Sequence, residues 1–196
     1  MSDIELHPLQ PFLPPNARLL MLGSFPPPRQ RWCMDFFYPN CTNQMWEIFG
    51  LVFFGDSQHL VDTEHKTFKQ SDIQSLLVEQ GIAIFDTAYR VRRLRDNASD
   101  KFLEVVEKTD IPALLKQIPL CTDIVCTGQK SAEILCSDYA APLPRLGESV
   151  PLTIATRHLR LWRMPSSSRA YPMKLEEKAC YYRKIMPPTT IHDTIQ

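Results

Sequence analysis

The 196-residue chain reads as an α/β protein, a three-layer α/β/α sandwich around a central, mostly parallel four-stranded sheet. Three observations predict this. Short apolar or β-rich runs recur along the chain, stretches with helical patterning separate them, and most of the runs close on small or polar residues. Strands that alternate with helices pair in parallel through right-handed crossovers, so helices cover both faces of the sheet. Ligands of such sheets sit at the carboxyl ends of the strands.

The strand candidates are "RLLMLGSF" (18–25), "IAIFDTA" (82–88), "DIVCTG" (123–128) and "LRLWRMPS" (159–166). The first helical stretch, 43–53, is apolar at Met45, Trp46, Ile48, Phe49 and Val52. The next, 71–81, opens with Ser71 and Gln74 in capping-box spacing and closes on Gly81, a residue suited to ending a helix. Stretches 111–118, 129–139 and 174–185 supply the remaining helices. Residues 55–70 read as a polar connecting loop, and 186–196 as a loose tail. The 17 prolines cluster near 8–15, 26–28, 142–151 and 187–188, which marks loops and ends. A chain of this length builds one core, so 1–196 is read as a single domain.

Twenty-two acidic side chains balance 22 basic ones, so no whole-molecule field draws the chain to a polyanion. Any such attraction must be local. Arg90, Arg92, Arg93 and Arg95 form one basic cluster; Arg157, His158, Arg160, Arg163 and Arg169 form another. Short arginine runs of this kind also occur on ordinary solvated surfaces. No segment approaches the roughly 20 apolar residues that cross a bilayer, so no membrane partner is expected and a cytoplasmic location is. Cys33, Cys41, Cys121, Cys126, Cys136 and Cys180 show neither C-x-x-C pairs nor zinc-ligand spacing. Reduced, mostly buried thiols and no metal are the expectation.

Three segments can carry chemistry. In "MPSSSRAYP", Ser166, Ser167 and Ser168 follow an apolar strand, and their hydroxyls and backbone N–H groups suit a phosphate oxygen. Arg169 adds charge, or a side chain long enough to enter a base stack; a plain polar turn fits the same residues. In "GSFPPP", Gly23 permits close backbone approach and the prolines after Ser24 and Phe25 stiffen the loop. Neither a Walker phosphate loop nor the Gly-x-Gly-x-x-Gly fingerprint is present, which argues against a nucleotide cofactor, and none is expected. The third segment, "MDFFYPNCTNQMW" (34–46), combines aromatic rings with amides. Phe37 or Tyr38 can stack on a flat base, a contact worth about 1–3 kcal/mol. Asn43 carries one acceptor and two donors, and it also stands where a helix N-cap belongs. Asp35 and Asp86 are the acidic candidates, each equally able to serve the fold.

Taken in order, "GSFPP", "FYPNCTNQMW", "GIAIFDTAYR", "DIVCTGQKSAEIL" and "MPSSSRAY" resemble the uracil-DNA glycosylase superfamily over nearly the whole chain. The likeness is nearest to its mismatch-specific uracil/thymine and hypoxanthine branches. The resemblance implies a monomeric DNA repair glycosylase that takes DNA with a damaged or mismatched base as its partner. The flipped base, held at the strand ends, would be cut from deoxyribose by water. The first-motif Asn of the mismatch-specific branch is replaced here by Phe25. The resemblance therefore places the catalytic amide at Asn43; Asp35 and Asp86 remain the acidic candidates that the residues themselves offer. Gly23, Ser24, Phe25, Phe37 and Tyr38 would form the base pocket, and Ser166, Ser167, Ser168 and Arg169 the DNA contacts. Met45 and Pro27 depart from the pattern in the pocket wall. A nucleic-acid-binding module that has lost catalysis is the alternative the Phe25 substitution leaves open.

Overall fold

The computed structural model describes residues 3–94 and 103–186. Arg95 and residues 187–196 of the expected tail lie outside the described residues. The chain runs β1 (Ile4–Leu6), β2 (Leu19–Gly23), α1 (Met45–Phe53), β3 (Val61–Asp62), β4 (Thr67–Phe68), α2 (Gln70–Glu79), β5 (Ile82–Asp86), β6 (Ala88–Arg93), β7 (Leu103–Lys108), α3 (Ile111–Gln117), β8 (Asp123–Thr127), α4 (Gln129–Tyr139), β9 (Ser149–Ile154), β10 (Arg157–Met164) and α5 (Leu175–Arg183).

The main sheet has the order β5-β2-β8-β10-β9. Its four parallel members, β5, β2, β8 and β10, are the four runs read from the sequence. The sheet is nevertheless five-stranded and mixed, because β9 pairs antiparallel with β10. Pro151 concealed β9 within an apparent proline loop; a proline is tolerated there because β9 is an edge strand. Every residue of β2 and β5 is buried, the signature of strands covered on both faces.

A second sheet, β1-β6-β7, is antiparallel. It grows directly from the first, since β5 passes into β6 through Thr87, whose N–H and hydroxyl both donate to the Gly23 carbonyl at 2.9 and 3.1 Å. Strand β6 holds the first basic cluster. Arg90 pairs with Glu107, Arg92 with Glu104 and Arg93 with Glu5, at 3.2, 2.7 and 2.8 Å. These three arginines thus form cross-strand ion pairs, because β1 and β7 bring carboxylates alongside. The polar stretch 55–70 contains the small β3–β4 hairpin.

The expected capping box does not form: the N-cap of α2 is Lys69, which leaves Ser71 inside the helix with no capping bond. Helix α3 shows the device instead, with Asp110 Oδ1 accepting from Ala113 N–H at 3.0 Å and Pro112 in the first turn. Cys33 and Cys41 are joined as a disulfide, with Cα atoms 6.1 Å apart, which corrects the expectation of six reduced thiols. Cys121, Cys126 and Cys136 are buried and free, and burial pushes the Cys121 thiol up to about 11.

Gly81 ends the turn after α2 at φ +64°, and a Cβ there would lie 2.8 Å from the Asn16 carbonyl oxygen. Gly81→Ala is expected to lower stability by about 1–2 kcal/mol, the cost of a side chain in the left-handed region. Urea denaturation at unchanged slope checks this.

Candidate functional site

After β2 the chain crosses to β5 on one side of it, then returns to β8 on the other. Neighbouring connections therefore leave in opposite directions, and a crevice opens at the carboxyl ends of β2 and β8. A cavity of about 160 Å³ lies there. That is well under the roughly 300 Å³ where drug-sized ligand sites begin, so it suits a single ring system. Its wall comes from the 23–27 turn, the loop between Phe37 and Asn43, Asp86, Thr127 and the serines 166–168.

Gly23 and Asp86 face each other across the β2–β5 register. A Cβ on Gly23 would sit 2.2 Å from Asp86 Oδ1, so only glycine admits the carboxylate. The other oxygen, Oδ2, accepts a bond of 2.9 Å from His7 Nε2. Both partners are buried, at 5% exposure for His7 and 6% for Asp86. The Asp86 backbone is fixed too, since its carbonyl accepts the Thr109 hydroxyl at 2.7 Å.

Tyr38 holds a positive φ of 51° in the loop closed by the Cys33–Cys41 bond. Its hydroxyl lies 2.9 Å from Thr127 Oγ1, which in turn donates to the Leu22 carbonyl at 3.4 Å. The chain of bonds makes Tyr38 the donor. Burial, reinforced by the Asp86 charge, raises the phenol well above its ordinary range and keeps it protonated. Phe25 and Phe37 both line the cavity and are themselves packed: Phe25 meets the His7 ring edge-on at 5.3 Å, and Phe37 lies in the aromatic core.

Asn43 lines the cavity but is not the helix N-cap: α1 begins at Met45 and its N-cap is Gln44. Asn43 Oδ1 accepts the N–H of Met45, two residues on and the first residue of α1, at 2.9 Å. That bond fixes the amide's orientation and leaves Nδ2 as its donor group. Asn43 and Ser168 form a backbone bridge, and Gln44 N–H donates to the Ser167 carbonyl at 2.9 Å, so the two loops are stitched together. Beneath them the fully buried Lys178 of α5 donates to Gln44 Oε1 at 2.9 Å and to the Ser168 carbonyl at 2.7 Å. Burial lowers the Lys178 pKa, and the neighbouring Glu47 carboxylate pulls it partly back.

The structure therefore brings Asn43, Asp86, Gly23, Ser24, Phe25, Phe37, Tyr38, Ser166, Ser167 and Ser168 to one wall. Asp35 is not part of it: its side chain is 72% exposed and pairs with Arg29 at 2.5 Å. Arg169 also stands off the wall, 59% exposed, with its guanidinium 3.7 Å from Glu47 Oε2. The second basic cluster divides. Arg157 caps carbonyls of Leu115 and Pro119, and Arg160 pairs with Asp123, at the opposite end of the parallel strands from the cavity. His7, Thr127 and Lys178 were not read as site residues. Thr127 was reachable as the polar end of "DIVCTG"; His7 and Lys178 have no local signal, since each is defined by a distant partner.

No known family model and no curated protein matches the chain. Among solved structures, the fold is similar to the solution NMR structure of a protein from Methanosarcina acetivorans assigned provisionally as a uracil DNA glycosylase. The two share 20% identity and a TM-score of 0.59, over 93% of this chain and 98% of that one. At that identity the likeness is one of fold.

Gly23→Ala is expected to drive Asp86 off its bond to His7 and to cost about 1–3 kcal/mol, as overpacking against a fixed neighbour does. Thermal melting together with the NMR signal of the His7 ring checks both effects.

Proposed function

We propose that the protein is a monofunctional DNA glycosylase of the uracil-DNA glycosylase superfamily, closest to its mismatch-specific and hypoxanthine branches. Its substrate is a flipped uracil, hypoxanthine or thymine in a weak pair with guanine. One observation carries the reading: segments spread over more than a hundred residues of chain, 23–27, 37–43, Asp86, Thr127 and 166–168, meet around one ring-sized cavity at the strand ends. The similar fold of the Methanosarcina acetivorans protein assigned provisionally as a uracil DNA glycosylase supports it.

Breaking an N-glycosidic bond places positive charge on the sugar and negative charge on the departing base. Fixed donors aimed at the base stabilise that separation without a covalent nucleophile. Asn43 is the chief donor in this scheme, because its oxygen is held by Met45 N–H and its Nδ2 is left for the ligand. Water attacks the sugar carbon as the bond to the base breaks; the base leaves with the bonding pair, and the proton that the water sheds reaches the departed base through solvent. Phe37 and Tyr38 wall the base. The serine loop receives the flanking phosphate, its backbone preset by Lys178 and by the Ser168 N–H to Ser166 Oγ bond of 3.2 Å. Flipping costs least where a base is mispaired, which makes deaminated bases the natural targets. Asp35 has no part in this chemistry.

Two outcomes test the proposal. Oligonucleotides carrying uracil, hypoxanthine or thymine opposite guanine are expected to yield alkali-labile sites with the wild type, and Asn43→Ala to release base at least about 100-fold more slowly, as for loss of one transition-state donor. Duplex binding without base release by the wild type would favour the non-catalytic binder that Phe25 in place of an amide suggests. Arg169→Ala is expected to weaken duplex binding and to lower the slope of log affinity against log salt by about one, the signature of one lost phosphate contact. Titration at several salt concentrations measures it.

A further inference from the structure

We infer that Asp86, held in place by His7, is the group that reads the base: its carboxylate accepts a ring N–H of the bound nucleobase, and His7 is its positioning residue. The inference rests on the proposed function and narrows its substrate to bases whose reading edge presents a ring N–H beside a carbonyl.

The argument begins with the surroundings of His7. The residue follows β1, and its backbone N–H donates to the Tyr89 carbonyl at 2.8 Å, so the small antiparallel sheet carries it to the end of β5. Its ring is enclosed by Phe25 at 5.3 Å, Phe85 at 4.4 Å and Phe37 at 6.3 Å. An imidazole placed among three phenylalanines must satisfy both nitrogens. Nε2 faces Asp86 at 2.9 Å, and Nδ1 lies 3.0 Å from the Leu9 carbonyl oxygen and 3.2 Å from the Leu9 N–H. An ionised carboxylate can only accept, so Nε2 carries a proton and donates it to Asp86, while Nδ1 is held by the Leu9 backbone. The imidazole cannot turn without leaving one of these groups unpaired.

Asp86 is fixed as a result. Oδ2 is occupied by His7, Oδ1 lies against Gly23, and the residue forms part of the cavity wall. An ionised carboxylate is an acceptor only. Asn43 stands in the same wall with its oxygen bound to Met45 and its Nδ2 free to donate. The cavity thus offers one acceptor from Asp86 and one donor from Asn43. A lactam edge, N–H beside C=O, complements that pair, as uracil and hypoxanthine do. Deamination creates this edge: it converts a bare ring nitrogen, which would turn its lone pair toward the carboxylate, into an N–H donor.

The test compares single-turnover release of uracil and hypoxanthine with release of their ring-N-methylated forms, 3-methyluracil and 1-methylhypoxanthine, from the same position. Wild type, Asp86→Ala, His7→Phe and His7→Gln are used, each checked for an unchanged far-UV spectrum and cooperative melting. The wild type is expected to favour the N–H bases by roughly 10- to 100-fold, the effect of one hydrogen bond to a charged acceptor. Asp86→Ala and His7→Phe should flatten that ratio, and His7→Gln, which still offers an N–H to the carboxylate, should recover most of it. A role of His7 confined to stability would lower the melting temperature and leave the ratio intact. An unchanged ratio in Asp86→Ala and His7→Phe, with an active wild type, overturns the inference and leaves the glycosylase reading standing. If the wild type releases none of these bases, the glycosylase reading falls. The base-reading role is then decided by NMR titration with the free bases: shifts at His7 and Asp86 with hypoxanthine or uracil and not with the methylated forms uphold it, and equal or absent shifts overturn it.

Discussion

Strand β2 is hydrogen-bonded in parallel on both sides, to β5 and to β8, and all five of its residues are buried. No other arrangement in the chain constrains so much. The connections leave its two neighbours in opposite directions, so the layer above its carboxyl end cannot close. The register then fixes what surrounds the gap. Gly23 is level with Asp86, Leu22 with Cys126, and Thr127 stands one residue beyond. Thr87 adds two bonds to the Gly23 carbonyl and turns the chain into the second sheet. That sheet brings back the N-terminal strand, and with it His7.

The polar atoms around the cavity are anchored one by one. Asn43 is held by a helix terminus, Tyr38 by Thr127, Asp86 by His7 and the serine loop by Lys178. Groups fastened in this way need little reorganisation when a polar ligand enters the cavity. Apolar residues do the insulating. Phe25 lies over His7 and shields its bond to Asp86 from solvent. The cation Lys178 is buried for the same structural purpose, bridging α5 to the start of α1 and to the serine loop.

Electrostatics away from the cavity are largely self-contained. The arginines of β6 are matched by Glu104, Glu107 and Glu5, and those at the start of β10 by carbonyls and Asp123. Zero net charge in the sequence therefore corresponds to local pairing, with Arg169 standing apart from these sheet pairs beside the serine loop.

By itself the sequence determined the parallel strands, the five helices to within about two residues, and the segments that supply the cavity wall. The reason is that burial on both faces writes continuous apolar runs, helices write a 3.6-residue period, and strand ends write small polar residues. Strands β1, β6, β7 and β9 were not legible. Bulges break the alternation in β6, exposed charges fill β7, and Pro151 disguises β9, and each acquires its state only from a partner strand. Tertiary structure alone decided the exclusion of Asp35, the pairing of Arg90, Arg92, Arg93 and Arg160 with carboxylates, the Cys33–Cys41 bond and the place of His7. These depend on pairs far apart in the chain, 79 residues in the case of His7 and Asp86. A lone histidine in "ELHPLQ" has no local chemistry to announce its role, because hydrogen bonds and ion pairs act through space while periodicity acts along the chain.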